Sequence, residues 1–312
     1  MAKPNLLMIV PAKWSGLWTP QLNDSAVHPV VHGEDAYAPD GIDYVLGFRP
    51  PPGLLKTLPK LKAVFSLGAG VDGFLSDPDY PKHIPLVRFV DETLSAEMAQ
   101  FVLMHVLIHH RHQRLFDAAQ PKRQWRQMTL PRRTEDTRIG ILGFGEIGRV
   151  AAQHLADLGF PVSAWSRTRK KGPGVKSFAG DAELEAFLAQ TDILICLLPL
   201  TRQTAGILNA KTFAALPQGA FVINVARGGH LIEKDLIAAL DAGRLSGAVL
   251  DVFQTEPLPE TSPLWTHPKV TATPHIAAIS QPAVAVRFVL DGIAKFERGA
   301  RPDNIVDVET AY

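Results

Sequence analysis

The sequence predicts an α/β protein built around a doubly wound, mostly parallel sheet, and three observations carry that prediction. Strand-length apolar runs alternate with helical patterns along most of the 312 residues. One such run, starting at Ile139, meets a G-x-G-x-x-G turn at Gly143, Gly145 and Gly148, and a helical pattern follows through Val150, Leu155 and Leu158. Strand starts near Ile139, Val162, Ile193, Phe221, Ala248 and Val270 give the count of a complete Rossmann-type domain. The chain is too long for one comfortable core, so a second domain is expected.

Composition narrows the class. Lys and Arg total 32 against 31 Asp and Glu, so no general charge draws the chain to nucleic acid or a membrane surface. No apolar run reaches the roughly 18 residues of a membrane span. The single cysteine, Cys196, lies within the apolar run Ile193–Leu198 and reads as a small core residue. The opening Met1-Ala2-Lys3-Pro4-Asn5 leads into a strand and not into the apolar core of a signal peptide, so the cytoplasm is the expected compartment.

Taken in order, Leu6–Val10 is a first strand. Residues 11–39 are rich in turn formers and give no clear period; Trp14 and Trp18 there read as packing residues. Tyr44–Gly47 is a second strand, ended by Phe48, Arg49 and three prolines. Ala63–Leu67 is a third and runs into Gly68-Ala69-Gly70-Val71-Asp72-Gly73, whose backbone N–H groups can hold a carboxylate or merely form a tight turn. After a strand at Leu86–Val90, a helix is expected over Ser95–Phe116. His105 and His109 lie one turn apart on it, but one helix flank supplies only two of the usual four ligands, and no metal is expected. Residues 117–137 are polar, basic and punctuated by proline, with a lone Trp125: an arm docking on another subunit, or an exposed linker.

Beyond the glycine turn, helices are expected at Asp181–Ala189, Asn209–Leu216 and Glu233–Leu240. Strands are expected at Val162–Trp165, Asp192–Leu198, Ala220–Asn224, Gly247–Asp251 and Val270–Thr273. A last helix from about Gln281 carries Val286, Phe288, Val289 and Ile293 at helical spacing, and is expected to return to the N-terminal domain.

The glycine turn predicts a dinucleotide site. Gly143 permits the tight turn, Gly145 the approach of a pyrophosphate and Gly148 close helix packing, with Phe144, Glu146 and Ile147 between them. An NAD site places an acidic residue at the end of the second strand. Here Ser166, Arg167, Thr168, Arg169 and Lys170 stand there. Arg167 can pair with a 2′-phosphate, and Ser166 and Thr168 can donate to it, which favours NADPH over NADH.

Three polar residues sit past the carboxyl ends of three strands, where such sheets bind ligands: Arg227, Glu256 and His275. Singly, each has an ordinary structural explanation. Together they meet the needs of 2-keto acid reduction. Arg227 suits the carboxylate, His275 can protonate the carbonyl oxygen, and Glu256 can orient the imidazole and favour its charged form. Asp251 can accept a hydrogen bond from a nicotinamide carboxamide, or serve the turn.

These residues resemble the D-2-hydroxyacid dehydrogenase family. The resemblance rests on Leu67–Asp72, Ile139–Gly148, Trp165–Lys170, Leu197-Leu198-Pro199, Ala226-Arg227-Gly228, Leu250–Phe253 through Glu256–Pro259, and Thr273–Ala278. It spans most of the chain and is weakest over residues 11–39 and 118–133. It implies a flavodoxin-like substrate domain from residues 1–97 and 281–312, and an NADP-binding Rossmann domain over 98–280. It implies a cofactor site that also takes in Leu198, Pro199, Val225, Ala226, Asp251 and Ala277. Ala69 and Gly70 are implied as substrate contacts beside Arg227 and His275, and a homodimer with Trp125 at its interface is implied. The expected reaction is NADPH-dependent reduction of glyoxylate and hydroxypyruvate. The rivals are reduction of bulkier keto acids such as phenylpyruvate, and a corepressor-like dinucleotide sensor. Formate oxidation is disfavoured, since that branch pairs its histidine with a glutamine. Phe48 and Arg49 fit the pattern of the small-substrate branch loosely, which leaves chain-length preference open.

Overall fold

Short runs of aliphatic and aromatic residues with no polar face, such as Tyr44–Gly47 and Ile193–Cys196, are buried on both sides, as strands of a parallel sheet covered by helices must be. The computed structural model describes residues 3–22, 26–129 and 131–308. Its chain divides into two units, Met1–Asp91 with Ser280–Tyr312, and Glu92–Ile279.

The first unit opens with β1 (Asn5–Ile9), α1 (Ala12–Leu22), β2 (His28–Val31), β3 (Tyr44–Gly47), β4 (Ala63–Ser66), α2 (Asp72–Leu75) and β5 (Leu86–Val87). Its sheet has the order β2-β1-β3-β4-β5 with parallel pairing throughout, a flavodoxin-like arrangement. The register sets Ile9, Gly47 and Ser66 abreast at the carboxyl edge.

The second unit contains α3 (Glu92–His110), α4 (Gln113–Ala119), β6 (Ile139–Leu142), α5 (Glu146–Asp157), β7 (Val162–Ser166), β8 (Val175–Ala179) and α6 (Asp181–Leu188). It continues through β9 (Ile193–Cys196), α7 (Ala210–Ala215), β10 (Ala220–Asn224), α8 (Glu233–Asp241), β11 (Leu245–Leu250) and β12 (Val270–Ala272). The sheet order is β12-β11-β10-β9-β6-β7-β8, all parallel. The strand order reverses between β6 and β9, which creates a crevice at their carboxyl ends. One core packs Ile141, Ala164, Ile195 and Ile223 against α3 and α5; the other packs Leu194, Val222 and Leu250 against α6, α7 and α8.

Helix α9 (Pro282–Glu297) returns the chain to the first unit. It buries Ala285, Val286, Val289 and Ile293 with Leu6, Met8, Leu46 and Phe65. Gly292 is required there, since a Cβ would stand 2.5 Å from the Phe65 ring.

Three expectations need correction. Residues 11–39 hold a helix and a strand: α1 buries Trp18 and Leu22 but exposes Leu17, and Pro20 with Gly16 hides its period. The cofactor sheet has seven strands, not six, because β8 is a half-exposed edge strand carrying Lys176 and Ser177. The long helix is two: His112 adopts the left-handed region at φ 56 between α3 and α4. Helix α3 belongs to the second unit, where Phe101, Val102 and Val106 pack with the core.

Candidate active site and cofactor cradle

The cradle begins where β6 turns into α5. Gly143 has φ +105, and a Cβ there would lie 2.7 Å from the Leu197 carbonyl oxygen. A Cβ on Gly148 would lie 2.0 Å from the Gly143 oxygen. Both glycines are thus demanded by backbone contact, and together they seat α5 tightly on β6. Gly145 is the N-cap of α5. The N–H groups of Glu146 and Ile147, next in line, lack intrahelical partners and donate to no other described residue. Aligned peptide dipoles add positive potential at this end. A diphosphate fits such a cradle.

The loop after β7 sorts its cations. Ser166 is buried and donates to the Thr168 carbonyl at 2.8 Å, which bends the chain back. Arg169 is committed to the Ser177 carbonyl and the Glu183 carboxylate. Arg167 is exposed and makes no hydrogen bond or ion pair to any described residue, so its guanidinium is free for an anion. Lys170 is half-buried and engaged within the protein. Phe144 packs under this loop: a Cβ on Gly172 would meet its ring at 2.5 Å, and the Arg149 guanidinium lies over the ring at 5.1 Å.

Leu198 and Pro199 follow β9, Val225 and Ala226 follow β10, Asp251 follows β11, and Ala277 follows β12. All stand at carboxyl ends of neighbouring strands, on the cradle's edge of the sheet. Cys196 lies below this edge, fully buried, and burial pushes its thiol up to about 12, as suits an inert core residue.

His275 is presented by the turn after β12, with φ +55. Its Nδ1 lies 2.7 Å from Glu256 Oε2. Glu256 Oε1 accepts the Phe253 N–H at 2.9 Å, so both carboxylate oxygens are placed. Partial burial alone would raise the Glu256 pKa, but the His275 and Phe253 hydrogen bonds and the nearby charge of Arg227 outweigh it and lower the value. His275 Nε2 has no partner among the described residues, and the side chain is 46% exposed. A ring held at Nδ1 and open at Nε2 is placed to transfer a proton.

Arg227 leaves β10 on a turn shaped by two buried polar residues that sequence reasoning missed. Asn224 Nδ2 donates to the Arg227 carbonyl at 3.1 Å, and its Oδ1 accepts from the Ala226 N–H at 3.3 Å. His230, wholly buried, has Nδ1 3.1 Å from the same carbonyl and Nε2 3.2 Å from the Pro199 carbonyl. A polar residue ending an all-apolar strand was the one available signal, at Asn224. Gly228 brings this turn onto the segment bearing Glu256, since a Cβ there would stand 1.9 Å from the Phe253 carbonyl carbon.

In the first unit, Ser66 turns its buried hydroxyl onto the Gly68 and Gly70 carbonyl oxygens at 2.9 and 3.0 Å. The Ala69 and Gly70 N–H groups, half-exposed, donate to no described residue. Two adjacent free amides suit one carboxylate. Phe48 packs 3.5 Å from where a Gly68 Cβ would stand, and Trp14 meets the Phe48 ring edge-on at 5.9 Å. Trp14 is partly exposed, whereas Trp18 is buried. The helix histidines do separate packing work, His105 against Phe101 at 4.5 Å and His109 stacked on Phe221 at 3.8 Å.

Comparison with known proteins identifies the family. Residues 103–277 match the family described as D-isomer specific 2-hydroxyacid dehydrogenase, NAD binding domain. Glyoxylate/hydroxypyruvate reductase A of Yersinia enterocolitica is 45% identical over 275 residues, covering 86% of this chain and 88% of that protein. The NADPH-dependent glyoxylate/hydroxypyruvate reductase of Sinorhizobium meliloti, solved with NADP and sulfate, superposes with a TM-score of 0.91 at 38% identity over 99% of this chain and 100% of that one. A D-isomer specific 2-hydroxyacid dehydrogenase of Xanthobacter autotrophicus, solved with NADPH and MES, gives 0.90 at 39% identity over 100% of both chains. By sequence and by fold, the chain belongs to the D-isomer specific 2-hydroxyacid dehydrogenase family.

Proposed function

We propose that the protein is an NADPH-dependent reductase of small 2-keto acids, converting glyoxylate to glycolate and hydroxypyruvate to glycerate. The observation that carries this reading is the Glu256–His275 pair at 2.7 Å, with Nε2 left free. The bound cofactor supplies the hydride. In this reading Arg227 and the Ala69 and Gly70 amides are the groups that bind the substrate carboxylate. His275 Nε2–H gives its proton to the carbonyl oxygen as negative charge develops there, while Glu256 holds Nδ1–H and steadies the charged ring. The backbone amides of Gly145, Glu146 and Ile147 hold the cofactor's diphosphate, and Ser166, Arg167 and Thr168 its 2′-phosphate.

The reading includes a homodimer acting in the cytoplasm. Trp125 is 94% exposed and Met128 is 44% exposed beside a shallow hollow lined by Phe116, Ala119 and Gln124, a feature suited to burial by a second copy. No described helix is long and apolar enough to cross a membrane. The test is the decay of nicotinamide absorbance with glyoxylate and with hydroxypyruvate, using NADPH and NADH in parallel. Turnover with NADPH that His275→Gln abolishes is expected. Tight NADPH binding without turnover would redirect attention to bulkier keto acids such as phenylpyruvate.

A further inference from the structure

Asp251 directly follows β11 with 1% of its surface exposed, and its carboxylate is the hub of the turn that carries His275. Oδ1 accepts from the Thr273 hydroxyl at 2.7 Å and from the Ile276 N–H at 2.9 Å. Oδ2 accepts from the Ala277 N–H at 2.9 Å. These donors bracket His275 on both sides in sequence. His275 itself stands at φ +55, a region that a residue with a side chain keeps only when its surroundings impose it. Its own N–H is turned back onto the Thr273 carbonyl at 3.0 Å. The last bond between β11 and the chain after β12 is that of the Thr273 N–H to the Leu250 carbonyl at 3.0 Å, so no ladder bond holds the turn beyond Thr273. The Asp251 carboxylate takes over that role with three bonds to an ionised acceptor, stronger than neutral ones.

We propose that Asp251 is a positioning residue: its carboxylate fixes the Thr273–Ala277 turn and so sets the aim of the His275 ring. The proposal rests on the reductase reading for its kinetic consequences, not for its geometry. It differs from a role as acceptor for the nicotinamide carboxamide. Three of the roughly four acceptor positions on a carboxylate are already occupied within the turn.

Two variants test it. Asp251→Asn keeps the shape but puts an N–H₂ where one acceptor stood. Thr273→Val keeps the carboxylate and removes one donor. With NADPH and glyoxylate, Asp251→Asn is expected to lower kcat by about 30- to 100-fold, the effect of a small misplacement of a reacting group. Thr273→Val is expected to lower kcat by about 5-fold, the worth of one hydrogen bond. The Kd for NADPH, read from cofactor fluorescence, should stay within about 3-fold of wild type in both. The His275 ring signal in a ¹H–¹³C spectrum of the free enzyme, assigned with His275→Gln, should move in both variants. That last readout needs no turnover. An inactive wild type would defeat the reductase reading, while the ring signal would still decide the positioning role. An Asp251→Asn defect confined to NADPH binding, or an unmoved His275 signal in Thr273→Val, would overturn the proposal.

Discussion

His275 and Glu256 form a 2.7 Å pair in which the carboxylate is itself held by the Phe253 N–H, so the imidazole is oriented from the backbone outward. Replacing the ring should therefore remove the proton donor while leaving the cradle alone. His275→Gln is expected to lower kcat by about 10³-fold or more with NADPH affinity unchanged. Glu256→Gln keeps a hydrogen-bonding side chain but not the charge, and should fall about 10- to 100-fold. Steady-state kinetics alongside cofactor fluorescence would check both.

Arg167 makes no hydrogen bond or ion pair to a described residue, whereas Arg169 is taken by Glu183 and the Ser177 carbonyl. Arg167→Ala should raise the KM for NADPH by about 10- to 100-fold and leave that for NADH within about 3-fold, since only the former carries the phosphate. Equal losses with both cofactors would remove Arg167 from the phosphate-binding set.

His109, stacked on Phe221, has its pKa lowered to about 4, first by burial and then by the neighbouring His112 and His110. Burial also lowers His105 and His110. Between pH 6.5 and about 4 the unfolded chain binds a proton that the folded one refuses. Stability is thus complete above pH 6.5 and is lost as pH falls, by about 2 kcal/mol from His109 alone at pH 5. Thermal melts at pH 7 and pH 5 should show the drop. His109→Phe, which keeps a ring on Phe221, should shrink it.

Trp125 offers nearly its whole side chain to solvent. If it is buried in a homodimer, Trp125→Ala removes one of the residue types that dominate interface energetics. Light scattering at micromolar concentration should then report a monomer or a concentration-dependent mixture, against a dimer for the unaltered chain. An unaltered chain that scatters as a monomer would end the dimer reading.

The parts that were legible in the sequence share one property: their signal is local. Tyr44–Gly47 and Ala220–Asn224 are apolar runs with turn formers at both ends, and the structure gives both with those bounds. Arg227, Glu256 and His275 could be singled out as candidates because parallel sheets place ligands past strand ends, and the structure sets Glu256 and His275 2.7 Å apart. What was missed depends on tertiary contact. Strand β8 alternates too weakly to be seen and is fixed by pairing with β7. The break at His112 has no glycine to announce it. Asn224 and His230 act through carbonyls brought to them by folded turns, and no spacing rule anticipates that.

The contact at Gly228 also bears on how such a site can be rebuilt. With the Phe253 carbonyl occupying the space of a side chain, the segment carrying Arg227 and the segment carrying Glu256 are moulded to each other. Anyone recasting the enzyme for a different acid by exchanging loops with a relative would have to transplant the two segments as one piece. A graft of either alone would meet a foreign backbone at a place with no slack to absorb it.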